Sequence, residues 1–394
     1  MNMQILYVST LASDKMLSYI HETSRIKPTY SAQKFHRLIV NGLVNNNARI
    51  TILSALPISP INNSKKWWPL KTEVENSIRY IYMPFINIKI VRQIFLFFFS
   101  FLYSIKWSIS NSGDKRVILD SLNISICMSS LFACKIMGVR SAGIFTDIPG
   151  LMVGRKSRIS KILETINKSY FRLFNYYIFL TKQMNSIINT RKRKYIIMEG
   201  LADIKMRDSE YAKNDFVVKT ILYAGGLYEE YGIKMLLEAF LQLNMQNIRL
   251  DIYGDGPMKE EICNRYVVID ERIHYYGVAP NNIVIEAERN ASLLVNPRPS
   301  KEDFTKYSFP SKNIEYMVSG TPILTTCLPG MPDEYYDFIY TFEKETVEGY
   351  RDTLCEILTK PECELRQKGI EAQKFILDKK NNNIQAARIL DLLK

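Results

Sequence analysis

Short apolar runs alternate with helix-patterned stretches along this chain, and the alternation stops once and then restarts. Candidate strands of the first half are Gln4–Ser9, Arg49–Ser54, Ile78–Met83, Arg116–Asp120, Ala142–Thr146, Tyr176–Leu180 and Lys194–Met198. Helical patterns lie between them near 33–45, 88–109, 124–137, 157–174 and 183–189. Residues 199–217 are polar and poorly periodic. The pattern resumes with Lys219–Ala224, a Gly225-Gly226 turn and a helix over 232–243 that aligns Ile233, Leu236, Leu237, Phe240 and Leu243. Strands follow at Arg249–Tyr253, Arg272–Tyr276, Ser292–Val295, Pro322–Thr325 and Ile339–Phe342, and helices near 345–359, 364–378 and 382–394. Strand–helix alternation at this spacing predicts parallel sheets covered on both faces. The expected class is α/β, with two Rossmann-like doubly wound domains, 1–199 and 200–381, facing each other across a cleft.

A length of 394 residues suffices for two cores, and 47% hydrophobic with 23% charged residues are globular values. The six cysteines contain no CxxC pair and the three histidines no metal-ligand spacing. Reduced thiols of a cytoplasmic protein are the simplest reading. The N-terminus runs straight into a strand and lacks the basic region and cleavage site of a signal peptide.

The net charge of +12 is concentrated. Residues 151–195 carry eleven Lys or Arg against the single acid Glu164. No nucleic-acid fold signature accompanies them, so nucleic acid is not an expected partner. The most apolar run, Ile94–Ile105, lies between Arg92 and Lys106 and is shorter than the ~20 residues that cross a bilayer. Apolarity all round a helix favours burial. Basic flanks suit the other reading, a helix lying at an anionic membrane surface. On that reading, residues 92–106 and 151–195 form a peripheral contact.

The segment Tyr307–Pro332 reads as loop, short helix, turn, strand and loop. Ser308 or Ser311 is expected to cap the helix, Pro310 to stand in its first turn, and Gly320 to end it. Such a helix turns backbone N–H groups and a positive dipole end toward an anion. Lys312 and Glu315, three apart, share a face. This suits a sugar nucleotide, with N–H groups and Lys for diphosphate and the carboxylate for ribose; an ordinary βαβ unit would carry the same residues. Three earlier junctions place glycine after a strand: Tyr223-Ala-Gly-Gly-Leu, Tyr253-Gly-Asp-Gly-Pro and Tyr276-Gly-Val-Ala-Pro.

With these motifs, and with Ile221–Phe240, Leu250–Pro257 and Asn313–Pro322 in particular, the chain resembles the retaining GT-B glycosyltransferases of family 4. The Phe-Pro-Ser-Lys form resembles a subset of bacterial capsule and O-antigen transferases. The resemblance implies a nucleotide-sugar donor in the second domain, an acceptor in the first, and a final helix near 382–394 that packs back on the first. It makes Glu315 the second acid of an E-x7-E motif, with Tyr307 in the place of the first. It brings Gly225, Gly226, Tyr231, Gly254, Gly277, Val278, Tyr307, Pro310 and Ser311 to the donor. The family's Arg and Lys of the first loop are Gly226 and Tyr231 here, so Lys312 is expected to replace them, with Arg298 and Lys306 in reserve.

In the first domain Asp147, in Phe145-Thr-Asp-Ile-Pro-Gly150, is a candidate to orient or deprotonate an acceptor hydroxyl; the other reading is an Asp that stabilises its own turn. Ser9 and Thr10 stand where the acceptor loop of the family would be, and Ser31 opens the next helix, where a capping role competes. His36 reads as helix packing. The chain lacks a DxD motif, so metal-independent chemistry without a cofactor is expected. The reading as a whole is a cytoplasmic, peripheral transferase that glycosylates a lipid-linked saccharide; the alternatives are a nucleotide-sugar epimerase or hydrolase of the same fold and a non-catalytic nucleotide-binding protein.

Overall fold

In the computed structural model, residues 3–28, 30–148, 169–208 and 218–394 are described. Much of the basic stretch, and most of the helix expected at 157–174, lie outside them. The chain divides into two units, Met1–Leu201 with Asn382–Lys394, and Ala202–Asn381.

The first unit is built on strands β1 (Gln4–Ser9), β2 (Arg49–Ser54), β4 (Lys71–Glu75), β5 (Ile78–Tyr82), β7 (Lys115–Asp120), β8 (Arg140–Phe145), β9 (Tyr176–Phe179) and β10 (Tyr195–Ile197). Their order is β10-β9-β8-β7-β1-β2-β5-β4, parallel throughout except for β4 on β5. Central strands such as β7 and β8 are buried on both faces, which is why they read as continuous apolar runs. The β4 strand, Lys-Thr-Glu-Val-Glu, carries no such run. It is held by a two-residue turn at Asn76 and Ser77, whose φ of 50° and 65° suit a hairpin. A small pair, β3 (Trp67–Trp68) and β6 (Phe85–Ile86), completes the strands among the unit's described residues.

The C-terminal helix Asn382–Leu393 packs on helix Tyr30–Asn45 in this unit. The contact is close because residue 42 is glycine: a Cβ there would lie 2.2 Å from the Asn382 carbonyl oxygen.

The apolar run of the sequence proves to be part of a 22-residue helix, Lys89–Ser110. The expectation of burial is corrected here. Ser100, Ser104 and Ser108 face inward, while Ile90, Phe98 and Leu102 are exposed. Serine is small enough to let the neighbouring helix Ile124–Ile136 approach, so Ser100 and Ser104 sit in the seam, and Leu96 and Trp107 are the large side chains the helix buries. Arg92 is turned away from solvent, bonded to the Leu56 carbonyl at 3.1 Å and set over the Phe85 ring. Burial lowers its pKa to about 10.

The second unit has β11 (Lys219–Ala224), β12 (Ile248–Tyr253), β13 (Ile273–Gly277), β14 (Leu293–Asn296), β15 (Ile323–Thr325) and β16 (Tyr340–Thr341), all parallel, in the order β13-β12-β11-β14-β15-β16. Helices Ile233–Leu241 and Val347–Thr359 bury Leu236, Leu237, Phe240, Tyr350 and Leu354 in its core. Sequence patterns missed helix Asn281–Asn290 and the consecutive segments Lys259–Glu261, Ile262–Tyr266 and Val267–Ile269. Each buries few residues, so no apolar stripe announces it.

Gly42→Val is expected to destabilise the first unit by about 1–3 kcal/mol through overpacking. A urea titration followed by circular dichroism reads this as a lowered midpoint; an unchanged midpoint would contradict the packing of the C-terminal helix.

Candidate functional site

Where the strand order reverses in a parallel sheet, the loops at the strand C-termini diverge and open a crevice. In the second unit this happens between β11 and β14. A cavity of about 150 Å³ lies there, lined by the Tyr223–Gly226 turn, Tyr231, Asn296, Arg298, the Ser308–Lys312 segment and Tyr316. It brings together Gly225, Gly226, Tyr231, Pro310, Ser311 and Lys312 of the expected donor set.

Helix Ser311–Val318 supplies one wall. Neither Ser308 nor Ser311 caps it, contrary to expectation. Pro310 occupies the cap position and has no side-chain acceptor, and Ser311 is the first helical residue. The first turn therefore lacks a side-chain cap and meets the cavity with its positive dipole end. The Tyr316 hydroxyl fixes this helix to β11, accepting from the Ala224 N–H at 2.8 Å and donating to the Ala224 carbonyl at 3.2 Å. Asn313, fully buried, accepts from Asn296 Nδ2 at 2.6 Å.

The charges in the cavity follow from its aromatic residues. A Cβ on Gly226 would lie 2.9 Å from the Tyr228 ring and 3.3 Å from the Tyr231 ring. A side chain at 226 would therefore displace these tyrosines. In its place the Arg298 guanidinium stacks 4.6 Å from the Tyr231 ring centroid. Burial lowers the Arg298 pKa, against the raising influence of Tyr231 and Tyr223. Lys312 Nζ sits 3.0 Å from Glu315 Oε2 and 3.9 Å from Glu288 Oε1, so its charge is shared with two carboxylates. Glu315 contacts Lys312 and does not itself line the cavity.

Gly254 and Gly277 act outside the cavity. The Gly254 N–H donates to the Gly277 carbonyl at 2.8 Å, and Gly225 N–H to the Tyr253 carbonyl at 3.0 Å. Gly254 has φ +137°, and a Cβ on it would fall 1.8 Å from the Gly225 carbonyl oxygen. These glycines stitch three strand-end loops together. Val278 is exposed, and Tyr307 is half-buried beside the Ser308–Lys312 segment.

The first unit reverses between β1 and β7. Ser9 ends β1, is buried, and accepts from the Leu11 N–H at 3.1 Å. Gln33 clamps the loop with both ends of its amide, donating to the Thr10 carbonyl at 2.8 Å and accepting from the Ala12 N–H at 2.9 Å. Ser31 is exposed in the first turn of helix Tyr30–Asn45. His36 does more than pack: its Nδ1 lies 2.7 Å from the Tyr7 hydroxyl and its Nε2 3.5 Å from Asp120. Asp120 ends β7 and also accepts from the Leu122 N–H and the Asn123 amide. Burial opposes ionisation of Asp120, yet these hydrogen bonds and His36 hold its pKa below the usual value. Sequence reasoning missed this buried Tyr7–His36–Asp120 chain. The available signal was Gln33 and His36, three apart on an otherwise apolar helix face.

Asp147 stands two residues past β8, the strand beside β7. Burial, and then the Asp120 charge, push its pKa up from 3.8 to about 6. Among the described residues no group of three or more His, Cys, Asp or Glu could hold a metal ion.

Residues 218–360 match the family described as glycosyl transferases group 1. No curated protein sequence matches the chain. Similar solved structures include sucrose-phosphate synthase from Thermosynechococcus elongatus, at 13% identity and TM-score 0.66, covering 99% of this chain and 98% of that one. The E. coli trehalose-6-phosphate structure bound with UDP-2-fluoro glucose is 10% identical with TM-score 0.67, covering 99% of each chain. The lipopolysaccharide outer core galactosyltransferase WaaB, in its apo form, is 15% identical with TM-score 0.58, again over 99% of each chain. These likenesses show the fold: two Rossmann-like α/β domains with parallel sheets, the GT-B plan. The matched residues lie within the second unit, which carries a glycosyl transferase group 1 domain.

Two outcomes test the geometry. Ionising Asp147 costs stability in the folded protein, a penalty absent below about pH 4 and complete above about pH 6. Asp147→Asn is therefore expected to match wild type in acid and to exceed it by about 1–3 kcal/mol at pH 8, measured by urea unfolding. Equal stability at pH 8 would contradict the burial of Asp147. Gly254→Ala is expected to lower the thermal midpoint, because the new methyl group must displace the Gly225 turn; a midpoint equal to wild type would contradict that crossing.

Proposed function

We propose that the chain transfers a sugar from a nucleoside-diphosphate donor, held in the cavity between β11 and β14, to a saccharide acceptor taken by the first unit. One observation carries this reading. In the domain that matches the glycosyl transferases, a helix N-terminus without a side-chain cap, Lys312 and the Arg298 guanidinium line one cavity beside a glycine turn. When the glycosidic bond breaks, negative charge grows on the leaving phosphate. Arg298, with Lys312 and the helix end, offsets that charge, and Glu315 orients Lys312. Asp147 positions the acceptor hydroxyl, and Ser9 and Thr10 form its loop. The reaction proceeds without metal and with retention, as in the family resembled; front-face attack lets the donor phosphate take the acceptor proton.

The acceptor is a lipid-linked saccharide of surface polysaccharide assembly, capsule or O-antigen, met at the cytoplasmic leaflet. The exposed apolar side of helix Lys89–Ser110 favours this over a free sugar phosphate, and the likeness to a lipopolysaccharide galactosyltransferase agrees.

Purified protein, nucleotide sugars and lipid-linked saccharides should release nucleoside diphosphate in step with acceptor glycosylation, and EDTA should leave the rate unchanged. Arg298→Ala is expected to lower kcat by about 100-fold, the scale of losing one charge-stabilising donor. Donor turnover without acceptor would instead make the chain an epimerase or hydrolase. Donor binding with no turnover on any acceptor would make it a non-catalytic nucleotide-binding protein.

A further inference from the structure

In water a helix normally hides its apolar stripe and shows its polar one. Helix Lys89–Ser110 departs from this: beside Leu96 and Trp107 it buries Ser100, Ser104 and Ser108, and it leaves a stripe of large apolar side chains exposed. Ser100 bonds Ser129, and Ser104 Oγ donates to Ser130 Oγ at 3.1 Å, all four serines buried in the seam with helix Ile124–Ile136. Seams of small residues between helices that show large apolar side chains outward are the packing of helices surrounded by lipid. On the open side Ile90, Ile94, Phe98 and Leu102 follow at intervals of four, with relative exposures of 73%, 49%, 60% and 63%. The partner helix exposes Phe132 and Ile136.

The charges carried by these two helices have one sign. Neither helix contains an Asp or Glu. Lys89 and Lys106 are exposed near the ends of the stripe, and Lys135 is exposed beside Phe132 and Ile136. Burial, and then Arg193 and Arg191, lower the Lys135 pKa, which brings the exposed basic segment 191–194 to the same neighbourhood. A contiguous apolar face signals an interaction surface, and a rim of cations without acids selects an anionic partner.

We propose that these two helices form a docking face for an anionic lipid bilayer, with Lys89–Ser110 lying in the plane of the interface. Ile94, Phe98 and Leu102 enter the headgroup–acyl boundary, and the rim cations meet lipid phosphates. The helix is long and apolar enough to span a membrane by length and composition. Spanning would strip Ser100 and Ser104 from Ser129 and Ser130, so in-plane contact is the arrangement the seam permits. The inference does not depend on the proposed reaction, since its test reads lipid binding alone.

The full chain is sedimented with vesicles of phosphatidylcholine, alone or mixed with phosphatidylglycerol, at rising salt. Binding is expected to require phosphatidylglycerol and to weaken as salt screens the charges. The double variants Phe98→Glu with Leu102→Glu, and Lys89→Glu with Lys106→Glu, should each lower vesicle affinity about tenfold or more while keeping the wild-type thermal midpoint. All four residues are exposed, so neither variant removes a core contact. Equal binding to both vesicle types, or variants that bind as wild type, would overturn the proposal. So would a wild-type dimer in light scattering that Phe98→Glu with Leu102→Glu dissociates, since a second copy would then cover the face.

Discussion

The second unit's cavity hangs on a single phenol. By bonding both the N–H and the C=O of Ala224, the buried Tyr316 hydroxyl locks helix Ser311–Val318 to the last residue of β11. The N-terminus of that helix therefore lines the same cavity as the Gly225-Gly226 turn. Buried polar groups are expensive unless bonded, so this arrangement is held from both sides. The remaining parts build outward from it: Asn296 on Asn313, Tyr223 on the Gly226 carbonyl, and Arg298 on Tyr231.

The substituted cations of the first loop become intelligible in that frame. With Tyr228 and Tyr231 closing over Gly226, the space for a long side chain at 226 is already filled. Positive charge enters from the other side of the crevice, on the loop after β14. An aromatic face holds a guanidinium well because the charge meets the ring quadrupole where water is scarce. Lys312, shared between Glu315 and Glu288, is better suited to fixing the geometry of the helix start than to acting as the sole counter-ion.

Most strands were legible because doubly covered parallel strands are nearly continuous apolar runs; β1, β2 and β11 fall on the residues read from the sequence. The edge strand β4 was not, since three of its five residues are exposed, none is buried, and its turn lacks glycine. Helix Lys89–Ser110 was found, but the burial expected of it was not, because composition does not say which face packs or how much of the helix it covers. At the site, motif residues around Gly225 and Ser311 were legible from turn and helix-start chemistry. Asn296, Tyr316, Gln33 and Asp120 were not, because each acts through a partner far away in sequence, such as Ala224 for Tyr316 or Ala12 for Gln33.

The central claim is that the cavity beside Tyr316 binds a nucleoside diphosphate through Arg298 and the start of helix Ser311–Val318. Calorimetric titration of UDP, GDP, ADP and the matching monophosphates into wild type, Arg298→Ala and Lys312→Ala tests it most directly. The account predicts micromolar binding of one diphosphate, weakened by Arg298→Ala more strongly than the binding of its monophosphate. Absence of binding by every nucleotide, or an Arg298→Ala protein that binds the diphosphate as wild type does, would contradict it.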